Sequence, residues 1–118
     1  MAEVIYKTWA DMPQTEMGPK TRRRLISGEK VMMVQLTMAK GAAVSEHKHP
    51  HEQITHVVSG SIEFEVGGEK RTLNSGDVIC IPSNVPHGAI ALVDTVTLEV
   101  FSPPREDFLS GGKADYMK

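Results

Sequence analysis

Runs rich in Val, Ile, Thr and Phe, each of strand length, alternate along this chain with turn residues: Gly41, Ser59-Gly60, Gly67-Gly68, Asn74-Ser75-Gly76, Pro82 to Pro86, and Asp94. Punctuation at that spacing leaves little room for helices and is the pattern of a β-barrel or sandwich. Strands are expected near 22–27, 31–39, 44–49, 53–58, 61–66, 69–73, 78–81, 87–92 and 95–101. Ser59-Gly60 and Gly67-Gly68 suit tight antiparallel hairpins, because glycine adopts positive φ at little steric cost. One helical turn is expected between Ser102 and Phe108, where Ser102 can cap and proline suits the first turn. With no repeat, low-complexity tract or linker, the 118 residues read as a single domain.

The segment Val31 to Ala39 carries Met32, Val34, Leu36 and Met38 on one parity, while Val31 and Met33 begin the other. A sheet with one wet face alternates more cleanly. Its outer face is therefore expected to be covered, by an N-terminal strand or by a second copy of the chain in a homodimer.

The chain has five histidines, and the spacing of three suits one metal ion. In an extended strand, alternate side chains share a face about 6.6 Å apart, so His47 and His49 point the same way and Gln53 has the same parity. His87 arrives from a distant strand to complete three imidazoles and one amide oxygen. Unrelated polar side chains on strand ends are the bland alternative, and for Gln53 a hydrogen bond to a ligand histidine is another. Imidazole favours Zn, Ni, Cu, Fe or Co over Mg and Ca. A donor set without charge leaves a divalent ion its full pull on an anionic, oxygen-rich substrate. His51 follows Pro50, which interrupts the ladder, and reads as a rim residue or as a hydrogen-bond donor to a ligand. His56 has the opposite parity from Gln53 and reads as half-buried.

Gly41, five residues, His47-Lys48-His49, three residues, Gln53, six residues and Gly60 is similar to the first cupin motif. Gly76, five residues, Pro82, four residues and His87 resembles the second. Gln53 stands where most cupins carry a glutamate, and Ala91 where the second motif often ends in asparagine. The tail from Glu99 to Leu109, taken with His47 to Gln53, resembles the KdgF-type cupins of pectin and alginate breakdown, and the likeness spans roughly residues 20–109. It implies an all-β double-stranded β-helix, a jelly-roll barrel over about 20–102 with a short turn or helix and a tail over 103–118. It further implies one divalent transition metal (Zn, Ni, Fe, Mn, Co or Cu) held by His47, His49, Gln53 and His87. The implied activity converts unsaturated uronate monosaccharides to open keto forms. A cupin dioxygenase and a non-catalytic small-molecule-binding cupin are the alternatives.

Pattern and resemblance disagree about one strand. From Thr95 to Phe101, alternation would send Val96, Leu98 and Val100 to the core and leave Glu99 in solvent. The resemblance instead places an acid, a phenylalanine and an arginine around the pocket at Glu99, Phe101 and Arg105. Arg105 could also be a surface partner of Glu106 or Asp107. The run Arg22-Arg23-Arg24 reads as a charged strand with alternate guanidiniums in solvent, the alternative being that one of them grips a carboxylate.

With 13 basic and 15 acidic residues, the net charge of −2 gives no general attraction to nucleic acid or anionic membrane. The N-terminus lacks a signal peptide's basic and apolar regions, and no stretch reaches membrane-spanning length. A cytoplasmic protein is the expectation. Cys80 is the single cysteine; within Val78 to Ile81 it reads as a buried, inert thiol.

Overall fold

The computed structural model describes residues 3–111 and forms the expected all-β jelly roll. After a 3-10 turn at Trp9–Asp11, the strands are β1 (Thr15–Gly18), β2 (Thr21–Ser27), β3 (Met32–Met38), β4 (Ala43–His47), β5 (Glu52–Ser59), β6 (Ser61–Val66), β7 (Glu69–Asn74), β8 (Val78–Ile81), β9 (His87–Ala91) and β10 (Thr95–Ser102). Helix α1 is Glu106–Leu109. A six-stranded sheet runs β1-β2-β3-β10-β5-β8 and faces a four-stranded sheet β4-β9-β6-β7. The expected tail beyond residue 111 lies outside the described residues.

Alternation along β3 buries Met32, Val34, Leu36 and Met38 against Ile62 and Phe64 of β6, Val57 of β5 and Ile81 of β8. Each large side chain so buried stabilises the fold by about 1.5–3 kcal/mol relative to exposure. Strand β1, which the sequence pattern does not reveal, adds Met17 to this core and pairs with β2 at the sheet edge. It extends the sheet and leaves the outer face of β3 uncovered. Met33, Ile54, Val58 and Val78 are exposed there in the single chain.

Three expectations are corrected. Gly67-Gly68 does close a hairpin, with Val66 opposite Glu69, but at Ser59-Gly60 the chain crosses from one sheet to the other and β5 does not pair with β6. Gly60 has φ +94, and a Cβ there would stand 2.5 Å from the Asp94 carbonyl oxygen, so the crossing requires glycine. The helix begins after Ser102, which ends β10 and donates its hydroxyl to the Lys30 carbonyl at 2.8 Å instead of capping. Cys80 is exposed, because the edge strand β8 alternates: Ile81 turns into the core, while Val78 and Cys80 share the outward parity.

Candidate metal centre

Antiparallel pairing of β4 with β9 sets His47 directly opposite His87, with a bulge between Val44 and His47. That bulge brings backbone close to β9. A Cβ at Gly88 would lie 2.9 Å from the Val44 carbonyl oxygen, so glycine beside His87 permits the approach. His49 lies just past the end of β4 yet still turns to the same side. The ring centroids of His47 and His87 are 4.3 Å apart, and those of His49 and His87 4.9 Å. The three residues can bring ligand nitrogens within 4.8 Å of one another.

Each ring is oriented through Nδ1. His47 donates to the Ser45 carbonyl at 2.9 Å, His49 to that of His51 at 3.0 Å, and His87 to that of Val85 at 2.8 Å. A carbonyl only accepts, so Nδ1 carries the hydrogen and Nε2 of the neutral ring keeps its lone pair. The rings are held neutral. Burial, above all, and then the neighbouring imidazoles and Arg105 push His47 down to about 4, against the bond to Ser45. Burial and the Arg105 charge likewise bring His49 to about 4, and His87 is lowered chiefly by burial.

Gln53 Nε2 donates to Thr55 Oγ1 at 2.9 Å and to Glu99 Oε1 at 3.0 Å, which turns its Oε1 toward His49 Nε2 at 3.2 Å. With the His49 hydrogen on Nδ1, two lone-pair atoms face each other there. His87 Nε2 is buried without a hydrogen-bond partner. Converging buried acceptors call for a cation, and three neutral imidazoles with an amide oxygen fit a divalent transition metal.

Glu99 lies opposite Thr55 of β5 and faces inward with Thr95, Thr97 and Phe101. The alternation reading of β10 is thus overturned: Val96, Leu98 and Val100 take the outer, half-exposed parity. The carboxylate is stabilised locally, since Thr55 donates its hydroxyl to Glu99 Oε1 at 3.1 Å. Burial pushes Glu99 up to about 7, opposed by that bond and by the Arg105 charge.

Arg105 is not a surface residue. It is buried, lines the cavity with His47, Gln53, His87, Glu99 and Phe101, and forms an ion pair with Asp107 at 2.8 Å. Burial works against the Asp107 charge, but the hydrogen bonds and charge of Arg105 hold its carboxyl below the usual value. The Arg105 guanidinium carbon lies 5.2 Å from the Phe101 ring centroid. His51 stays at the rim, half-buried, and supplies the carbonyl for His49. His56 is half-buried on the outer face, opposite Val78. Of the arginine run, Arg22 is exposed and Arg23 buried, while Arg24 donates to the Met12 carbonyl at 2.9 Å. Sequence reasoning overlooked Thr55, although it shares the parity of Gln53.

Residues 34–102 match the cupin domain family. The chain is 40% identical over 102 residues to the pectin degradation protein KdgF of Dickeya dadantii (strain 3937), covering 84% of this chain and 93% of that protein. Among solved structures, KdgF from Halomonas sp. superposes with a TM-score of 0.86 at 32% identity, over 90% of this chain and 99% of that one. An RmlC-like cupin from Shewanella frigidimarina NCIMB 400 gives a TM-score of 0.86 at 29% identity, over 91% and 97% of the two chains. Among the described residues, no helix is long and apolar enough to cross a membrane.

Proposed function

The chain belongs to the cupin domain family and, within it, to the KdgF group, and from that premise we propose that it converts 4,5-unsaturated uronate monosaccharides to the linear 4-deoxy-5-keto-uronate. One observation carries the mechanism: the buried Glu99 carboxylate accepts from the Gln53 amide, whose oxygen faces His49 of the histidine cluster. The substrate is an enol ether bearing a hemiacetal. Glu99 takes the proton of the anomeric hydroxyl; the C1 carbonyl forms as the bond from C1 to the ring oxygen breaks, and Glu99 passes the proton to that oxygen, leaving an enol. Glu99 then takes the enol proton as one is delivered through it to carbon 4, and the C5 ketone results with no net change of atoms. A pKa pushed up to about 7 suits a group that must both accept and give a proton near neutral pH.

Arg105 binds the substrate carboxylate. A guanidinium presents donors on two forked edges, so the Asp107 pair can orient the group while it meets a second carboxylate. Phe101 supplies an apolar wall and keeps water from the enol. His47, His49, His87 and Gln53 would hold the divalent metal, which when bound supplies Lewis-acid polarisation of substrate oxygens. Its identity is set by elemental analysis, with about one ion per chain expected for this donor set; undiminished metal in His49→Ala would remove the assignment.

The protein is taken as a single-domain, cytoplasmic enzyme and as a homodimer. The exposed apolar outer face of β3, β5 and β8 supports the dimer, and a monomer mass by light scattering would end that reading. The activity is tested with metal-loaded protein and lyase-generated unsaturated galacturonate. Loss of ultraviolet absorbance faster than the spontaneous rate is expected; a rate equal to it refutes the function.

A further inference from the structure

Arg23 points into the barrel from β2, opposite Leu36, and is only 3% exposed. A buried guanidinium is destabilising unless its donors are met, and here one of them reaches a short helix while another reaches β1. Its NH2 donates to the Phe108 carbonyl at 3.1 Å, its NH1 contacts Met17 Sδ, and its central carbon stands 4.6 Å from the Phe108 ring centroid. The Arg105 guanidinium carbon is 4.2 Å from the same centroid. Phe108 is therefore in contact with two cations, each drawn to the ring's electron-rich face.

Helix α1 has four residues and its N-cap, Arg105, makes no side-chain capping bond. A helix so short has no stability of its own; its place is set by what it touches. Phe108 and Arg105 line the cavity that holds Glu99 and the histidines. Arg23 does not: with Phe108 it lines the groove against the N-terminal segment.

We propose that Arg23 is a positioning residue, anchoring α1 through Phe108 and thereby setting the Arg105 guanidinium in the cavity. The substrate part of this inference rests on Arg105 binding the uronate carboxylate; the anchoring part does not. Losing the anchor weakens ground state and transition state alike, so Arg23→Met should raise KM for unsaturated galacturonate roughly tenfold while kcat stays within about twofold. Metal content should be unchanged. Arg23→Lys, which keeps a cation and one donor, should recover part of the KM. In an Arg105→Ala background, Arg23→Met should add nothing, because the residue acts only through the one already removed. A folded Arg23→Met with wild-type KM, or effects that multiply in the double variant, overturns the proposal.

Hydrogen exchange separates this inference from the functional reading. Without substrate, the Leu109 and Ser110 amides, which close α1 on Arg105 and Glu106, should exchange faster in Arg23→Met than in wild type. If the wild type leaves uronates untouched, the uronate reading fails and exchange alone decides: faster exchange sustains the anchor, and equal exchange overturns it. Should Arg23→Met not fold, Phe108→Leu carries the same expectation for KM and exchange, and wild-type values in both would overturn the proposal.

Discussion

Val34 of β3 and Glu99 of β10 are cross-strand partners in one sheet, both facing inward, at 0% and 8% exposure. One belongs to a row that is apolar from Met32 to Met38; the other belongs to a row of Thr95, Thr97, Glu99 and Phe101. Neighbouring strands with the same burial thus carry opposite chemistry. The β3 row stabilises by area removed from water. The Glu99 region instead relies on partners, since a buried carboxylate is tolerated only where donors meet it, and Thr55 and Gln53 do so. The barrel accordingly divides into a row that holds the fold and a row that works.

Changes to the two rows should have separable effects. The largest is expected on β10: Glu99→Gln should lower kcat roughly a hundredfold with little change in KM, as loss of a general acid and base does. Wild-type kcat would place the chemistry elsewhere. Next is Gln53→Glu, where a carboxylate replaces the amide that donates to Glu99. Metal should be retained and turnover cut about tenfold, because a charged donor weakens the ion's pull and sets like charges in contact. Metal content and rate measured on one preparation check this, and unchanged turnover would make the neutral donor incidental. On β3, Val34→Ala should cost about 2 kcal/mol of stability through transfer and cavity terms while leaving kcat alone. A fall in kcat that outweighs the loss in denaturant midpoint would break the division between the rows.

The smallest expected effect is a pH slope in metal-free protein. Glu99, raised from 4.5 to about 7 when folded, adds stability that is full below pH 4.5 and lost as pH climbs through 7. His47 and His49, depressed from 6.5 to about 4, act in the opposite sense. Their contribution is full above pH 6.5 and lost as pH falls through 4. Glu99→Gln removes only the first term. Its melting temperature should therefore rise more steeply with pH than that of the wild type between pH 4.5 and 6.5. Parallel curves would mean that Glu99 titrates alike in both states.

The same two strands explain what sequence reading could reach. On β3 the apolar parity is the buried one, and alternation finds it. On β10 alternation points the wrong way, since it weighs each residue by type and cannot register that Glu99 meets Gln53 and Thr55 on the neighbouring strand β5. Resemblance to a family supplied what periodicity could not. His47 and His49 were legible because their spacing is a local property of the chain, and His87 because the second motif resembles that of the family. The contacts of Arg23 with Phe108 and of Asp107 with Arg105 were less legible, because they depend on where α1 docks. At Ser59-Gly60 the residues marked where the chain turns, yet turn chemistry does not say which strand the next one will join.

Each of the three imidazoles is aimed by a carbonyl two residues away in its own stretch of chain: Ser45, His51 and Val85. None of these bonds depends on Glu99, Thr55 or Arg105. In evolutionary terms the two parts can vary independently. A substitution that alters the acid or the clasp leaves the nitrogen cluster still oriented, so a lineage could exchange one reaction for another while inheriting the same socket.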